Sequence, residues 1–537
     1  MENILHFVLI FITFLITLRV TATGSLKPNN ILYISAVASP SHFLWSQQLS
    51  KILANSGHNV TLLSIYKEGE EHNLHFIKLD GVEEALSKDH DIDYLSMHSM
   101  SPSELLTSFV ELEHLVCRHA LSSKQLLNLL NYPTNFTFHL VIHDHLAGPC
   151  LLFLLERFRS PPLVIASASN IFSSVECILG TPVYPGFIPN YLYDTPPSFG
   201  YLQRFYNFML KAYELLMKRY YSNHQIDRLV KNRFQNVSSV SRLEPKALMV
   251  LMNSIDLFDP PEPQIWRVVN VGGLHITVPK PMRDLFFPSR NKTYDKCVYI
   301  SFGSNVKMYN FNNHLAQSII TTARLLSHIK FLWKVDTSSE STSDDIIPEN
   351  MITFDWFPQN DLLGSGMVHA FVTHGGLLSV QEAIWYGIPM LGIPNYGDQY
   401  QNVRRIERIG IGKQLILEDV NPNSFKRHLL DVINDERYKQ SATTVSRIIR
   451  DKQITPRMKA LWVVEWVLRN HNKTINMLDD LNDVGYIQKY SIDVLSTIIL
   501  MTCLLILMSY RTTVLMVCFL LGRKSRKNKL DKFTKQL

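Results

Sequence analysis

At 537 residues the chain exceeds the roughly 250 to 300 residues at which one hydrophobic core stops growing, so two domains are expected. Hydrophobic residues make up 46% and charged residues 19%, an apolar balance that fits a globular body with one or more membrane segments. The formal charge of +6 is carried by Arg523, Lys524, Arg526, Lys527, Lys529, Lys532 and Lys535 in the C-terminal tail; the rest is near neutral, which excludes a basic face for nucleic acid and an acidic one for cationic partners.

The chain opens with an apolar run from Ile4 to Leu18, followed by Ala22-Thr23-Gly24, whose small residues suit cleavage after Gly24. Residues 1–24 therefore read as a signal peptide, with an uncleaved anchor as the alternative because no Lys or Arg precedes the run. Next, Ile31 to Ser35 is a strand pattern, Ala38 to Ser41 a loop, Phe43 to Asn55 a helix closed by Gly57, and Val60 to Leu63 a second strand. In such a βαβ unit ligands bind beyond the carboxyl ends of the strands, where the Ser-Pro-Ser loop lies. A further strand, Phe138 to Ile142, ends at His143-Asp144-His145; a metal pair there lacks further ligands of suitable spacing. Ser96 to Ser123 and Phe172 to Arg219 are rich in Leu, Phe, Tyr and Met, which suits either a lipophilic pocket or plain core.

Asp259 to Pro288 is proline-rich and marks a change of domain. The second half restarts with the strand Cys297 to Phe302 and the turn Gly303-Ser304. Ala370 to Thr373 is a strand, His374-Gly375-Gly376 a tight turn, Leu378 to Tyr386 a helix closed by Gly387, and Met390 to Ile393 the next strand. A glycine turn feeding a helix N-terminus is a generic diphosphate site, and neither a dinucleotide fingerprint nor a P-loop is present. Val494 to Tyr510 is uncharged and the apolar run resumes from Val514 to Leu521, so 494–521 reads as one span, with a basic tail on its cytosolic side. Asn135, Asn236, Asn291 and Asn472 are glycan acceptors for a lumenal body, whereas Asn59 leads directly into a strand and is discounted. The cysteines Cys117, Cys150, Cys177 and Cys297 show no legible framework.

From Trp356 to Gln399 the chain reads WFPQNDLLGSGMVHAFVTHGGLLSVQEAIWYGIPMLGIPNYGDQ, which resembles the signature of the UDP-glycosyltransferases, with an insect-like THGGLLS and GDQ. SPSHFLW, VGGLH at Val271 to His275, and SFGS at Ser301 to Ser304 extend the resemblance more weakly over the chain. It implies a GT-B fold of two Rossmann-like α/β domains facing across a cleft, with an N-terminal acceptor domain over 25–283 and a UDP-sugar domain over 284–478. A membrane-proximal linker follows over 479–493, then the span and a cytosolic tail over 522–537.

The resemblance places Trp356 on the uracil and Gln359 at its edge, His374, Gly376, Ser379 and Ser304 at the diphosphate, Glu382 at the ribose, and Asp398 and Gln399 on the sugar hydroxyls. Taken alone, Trp356 would read as core and Glu382 as compensation of the helix dipole. Plant members carry asparagine where this chain has Leu378. For catalysis the resemblance implies His42 as general base, oriented by Asp144, in a single inverting displacement without metal or other cofactor. A helix N-terminus would favour the neutral imidazole.

The implied partners are a UDP-sugar donor, a small lipophilic acceptor and the endoplasmic reticulum membrane, with the catalytic body in the lumen as a single-pass type I protein. Self-association also occurs among such proteins. Glucose is expected ahead of glucuronate: Asn395, Tyr396 and Asn402 suit neutral hydroxyls, and the nearby cations Arg404 and Arg405 are expected to be solvated or paired with Glu407. UDP-glucuronate as donor, or a silent lumenal binding protein of the same fold, are the alternatives.

Overall fold

The computed structural model describes residues 28–89, 96–169, 178–180, 184–193, 199–259, 263, 265–282, 294–303, 313–335, 347–474 and 485–534. The signal segment 1–24, Ser304, Asn291 and Cys177 lie outside them.

Two parallel sheets form the first body, which runs to Ile475. The first sheet contains β1 (Asn30–Ser35), β2 (Asn59–Ser64), β3 (Leu74–Lys78), β4 (Leu140–Asp144), β5 (Leu163–Ser167), β6 (Ala247–Met252) and β7 (Val268–Asn270) in the order β3-β2-β1-β4-β5-β6-β7. The second contains β8 (Lys296–Ser301), β9 (Ile329–Lys334), β10 (Met351–Phe354), β11 (Ala370–Thr373), β12 (Met390–Gly392) and β13 (Gly412–Gln414) in the order β10-β9-β8-β11-β12-β13. Strand order reverses beside β1 and beside β8, and the crevices beyond the carboxyl ends of these strands are the usual ligand positions in such sheets. Both sheets are covered by helices, so central strands such as Ile31 to Ile34 and Tyr299 to Ile300 are entirely buried and read as continuous apolar runs.

The helices that matter below are α1 (Pro40–Asn55), α2 (Pro102–Ala120), α3 (Tyr201–Leu216), α4 (Asn223–Arg233), α5 (Gln359–Gly364), α6 (Leu377–Tyr386), α7 (Gln399–Arg408), α8 (Pro456–Thr474) and α9 (Ile492–Thr534). Helix α1 starts at Pro40, whose fixed φ suits a first turn, so His42 lies within that turn rather than ahead of the helix. Helix α6 ends where Gly387 takes φ 65°, as its sequence position implied.

Several boundaries differ from the sequence reading. The proline-rich stretch after Asp259 is not wholly irregular, because Val268 to Asn270 adds an edge strand to the first sheet. Helix α8, although C-terminal to the second sheet, packs on α1, β6 and β7 of the first. Arg457 on α8 donates to Gln48 Oε1 and Leu274 O, so the assignment of all of 284–478 to one half is corrected: its last helix returns to the other. Cys117 and Cys150, which showed no pairing in the sequence, form a disulfide that ties α2 to the turn after β4. Helix α3 presents Tyr201, Leu202, Phe205 and Phe208 outward, so only part of the apolar segment Phe172 to Arg219 serves a pocket or core.

The second body, residues 476–537, is dominated by α9. Its portion Ile492–Lys524 has a mean hydropathy of 2.3 over its best window, long and apolar enough to cross a membrane. The helix runs unbroken through Arg511, and Thr512 and Thr513 satisfy their hydroxyls within it by donating to Ser509 O. It also continues into the basic tail, past the expected end of the span at Leu521.

Candidate active site

A cavity of about 540 Å³ lies between the two sheets and is lined from both halves, with His42 on one side and Trp356, His374 and Glu382 on the other. Its wall brings together 9 of the catalytic and donor-binding residues that the resemblance implied: His42, Trp356, Gln359, His374, Gly376, Ser379, Glu382, Asp398 and Gln399. Asp144 is not in the wall but directly behind it, fully buried at the end of β4.

His42 is part-exposed to the cavity, with its Nδ1 buried and without a hydrogen-bond partner among the described residues. Burial in this deep site holds its pKa down at about 4, so the ring is neutral near pH 7. The neutral form was expected from the helix end; the operative cause is desolvation. The expected hydrogen bond from the His42 ring to the Asp144 carboxylate is not made at Nδ1. Asp144 instead accepts from the Leu146 N–H at 3.1 Å and from the hydroxyls of Ser35 and Ser46 at 3.4 and 3.5 Å. Burial raises its carboxyl to about 7 against the lowering effect of these three donors. His143 and His145 are both buried, and among the described residues no group of three or more His, Cys, Asp or Glu is placed to hold a metal ion.

On the opposite wall, His374 follows β11 at the mouth of the turn into α6. Two glycines give its ring room: a Cβ at Gly376 would stand 2.5 Å from His374 Nε2, and one at Gly303 would stand 2.8 Å from it. Any side chain at either position would displace the imidazole. Burial, followed by the charge of Lys334, lowers the His374 pKa to about 4. Gly376 also caps α6 without a side-chain hydrogen bond, which leaves the first N–H groups of that helix open toward the cavity.

A polar network then links the elements. Gln359, at the start of α5, donates to Ser379 Oγ at 3.0 Å and to Glu382 Oε2 at 2.6 Å, while its Oε1 accepts from Tyr299 OH at 3.2 Å. Glu382 is buried and pushed up to about 7, chiefly by desolvation. Trp356 is 56% exposed, so it is no core residue; its ring has the Lys334 ammonium 4.3 Å from its centroid. Lys334 also donates to Gly303 O, and burial lowers its pKa to about 8. Sequence reasoning missed this lysine, which the last residue of β9 carries to the rim beside Gly303. It also missed His275, whose Nε2 lies 3.8 Å from Glu382 Oε1 and 3.3 Å from Leu378 O.

At the GDQ end, Asp398 and Gln399 both line the cavity and also make bonds within the wall. Gln399 turns its Oε1 back to accept from the N–H groups of Asn395 and Tyr396, at 2.9 and 3.3 Å, and so shapes the loop above α7. Asn402 is fully buried and donates to Gly375 O and Asp398 Oδ2, so it supports the wall rather than facing a sugar. Tyr396 does line the cavity. Asp398 is raised to about 6 by burial, against the donor Asn402 and the charge of Arg405. Arg405 is not solvated: it is buried and donates to Asp259 Oδ1 at 2.7 Å. Beside it Gln401 donates to the backbone oxygens of Asn190 and Tyr193 in the first half. A third cross-link is formed by Gln381 of α6, which accepts from Gly273 N and donates to Asn253 O.

The candidate glycan sites Asn135, Asn236 and Asn472 are all exposed. Asn59, also exposed, begins β2 and donates to Asn30 Oδ1.

Comparison with known proteins places the chain in a family. The family model described as UDP-glucoronosyl and UDP-glucosyl transferase matches residues 41–527. The chain is 24% identical to UDP-glucosyltransferase 2 of Dactylopius coccus, over 87% of this chain and 88% of that one. It is 29% identical to UDP-glucuronosyltransferase 2C1 of Oryctolagus cuniculus, over 72% of this chain and 75% of that one. Among solved structures, the glycotransferase of kitacinnamycin superposes with a TM-score of 0.55 at 14% identity, covering 83% of this chain and 99% of its own, a likeness of fold.

Proposed function

The chain belongs to the UDP-glucuronosyl and UDP-glucosyl transferase family, and from that premise we propose that it transfers glucose from UDP-glucose to a hydroxyl of a small lipophilic acceptor, with inversion. The observation that carries the proposal is one cavity that puts His42 opposite the donor signature. UDP lies along the second half: uracil on the exposed Trp356, ribose toward Glu382, diphosphate at the open N-terminus of α6 with His374, Ser379 and Lys334. Ser304, next to Gly303, is assigned to the same phosphates. The acceptor oxygen attacks the anomeric carbon as the bond to UDP breaks. UDP leaves with that electron pair, and the hydroxyl proton passes to the neutral ring of His42. Asp144 stabilises the imidazolium through the field of its carboxylate from behind the wall.

Glucose is favoured over glucuronate by charge. Asp398 is itself a buried carboxyl, and Arg405 of α7, whose charge reaches it, is held by Asp259. A glucuronate carboxylate here would add a second buried negative charge, which costs several kcal/mol when unpaired. The acceptor side is lined by Leu106, Phe109 and Val110 of α2, which fits a lipophilic body.

The disulfide Cys117–Cys150 supports an oxidising compartment, and α9 with its basic tail supports a lumenal body anchored in the endoplasmic reticulum membrane as a single-pass type I protein. The deciding experiment gives the purified body UDP-glucose and UDP-glucuronate in competition for one phenol. Glucoside is the expected product by mass. Preference for UDP-glucuronate would overturn the donor assignment, and UDP binding without any product would show a silent binding protein.

A further inference from the structure

One polar cluster in the cavity has no part in the chemistry above. Glu113 on α2 is buried, with its side chain 4% exposed, and Lys218 contacts its Oε2 at 2.6 Å. Ser222 donates to the same oxygen at 3.3 Å. Lys218 and Ser222 both lie on the segment Met217–Ser222, where the helical chain between α3 and α4 widens into a π-helical turn. That widening is costly and recurs at functional sites. Here it aims a cation and a hydroxyl, four residues apart, at one carboxylate oxygen. The other oxygen, Oε1, is buried without a partner among the described residues and abuts Gly148, where a Cβ would stand 2.1 Å away. Gly148 closes the turn that follows Asp144, so the pair is pressed against the catalytic end of β4.

Such a buried pair is not explained by stability, since desolvation of two charges offsets much of their attraction. Both residues line the cavity that contains His42. Among the described residues the Lys218 ammonium has one hydrogen-bond partner, Glu113, its charge also acts on the buried Glu244, and it has two further N–H groups to offer. We propose that the Glu113–Lys218 pair is an acceptor-anchoring site, in which Lys218 donates to a second, neutral oxygen of the acceptor while another hydroxyl of the same molecule faces His42. The inference rests on the transferase reading and adds the acceptor class: lipophilic molecules with two separated oxygens. A neutral oxygen fits because the pair is already balanced and Glu214 lines the same cavity, so an acceptor carboxylate would be repelled.

The test uses para-alkylphenols and their counterparts ending in an acetyl ketone, over a range of chain lengths, with UDP-glucose as donor. At one chain length the wild-type protein should favour the ketone by roughly tenfold or more in kcat/KM, the effect of a hydrogen bond to a charged group. Lys218→Met should reduce that preference below about twofold with KM for the UDP-sugar unchanged. Because this variant leaves Glu113 buried without its cation, the double variant Glu113→Gln with Lys218→Met, which removes both charges, is measured beside it. UDP binding in the other half reports folding. A preference kept in the double variant, or absent from the wild type at every length, overturns the proposal. If the wild type glucosylates neither series, the transferase reading has failed on its own. Binding of the same phenols by tryptophan fluorescence then decides the anchor: tighter binding of the ketone supports it and equal binding overturns it.

Discussion

At the scale of single residues, the two buried groups of the proposed acid–base system are pushed in opposite directions. His42 is held near 4 and Asp144 near 7, both by desolvation. His42 therefore stays neutral through the neutral range, and the group that titrates there is the aspartate. Below about pH 7 Asp144 gains a proton and loses the charge that would stabilise an imidazolium. The kcat/KM for the acceptor should fall as pH drops through about 7, and Asp144→Asn should leave a low rate without that limb. His42→Ala should lower kcat by a hundredfold or more with UDP binding nearly intact; a variant keeping over about a tenth of wild-type kcat would refute the base assignment. Glu382 gives a stability test. Its folded pKa, about 7, lies above its ordinary value of 4.5, so its contribution is fully present below 4.5 and is lost as pH rises through about 7. Glu382→Gln should raise the melting temperature at pH 8, where the buried carboxylate is ionised, and change it little near pH 5, while weakening UDP binding at both.

Among elements, α7 decides how the halves are held beside the sugar end of the cavity. Arg405 ties α7 to Asp259 in the segment leaving β6, and Gln401, one turn earlier, holds the backbone at Asn190 and Tyr193. Arg405→Ala leaves Asp259 buried without its cation and should cost about 3 to 5 kcal/mol in urea unfolding. Asp259→Asn in the same chain should recover part of the loss. The donor preference should not change in chains that remain folded, because Arg405 is committed to a carboxylate on the other half; loss of a UDP-glucuronate preference in Arg405→Ala would place this arginine at the sugar instead.

For the whole molecule, the proposed topology joins a body with a buried disulfide to an apolar helix and a basic tail. Protease added to sealed microsomes should remove only the tail, and glycosidase should shift the mass through Asn135, Asn236 or Asn472, all of them exposed. Cleavage of the body in intact vesicles would reverse the orientation. The alternation of short apolar strands, helices and glycine turns made two parallel sheets legible in the sequence, and the dense stretch from Trp356 to Gln399 made the donor wall legible, because these depend on local periodicity and closely spaced residues. Tertiary structure alone decided which polar groups are spent on one another. It tied the Oε1 of Gln399 to its own loop, made Asn402 a wall support, gave Arg405 to Asp259, paired Cys117 with Cys150, returned α8 to the first sheet, and left Asp144 without a hydrogen bond to His42 Nδ1. Each outcome hangs on a contact between residues far apart in the chain or on the depth at which a charge is buried, and desolvation depends on everything packed around a group, which no local pattern encodes.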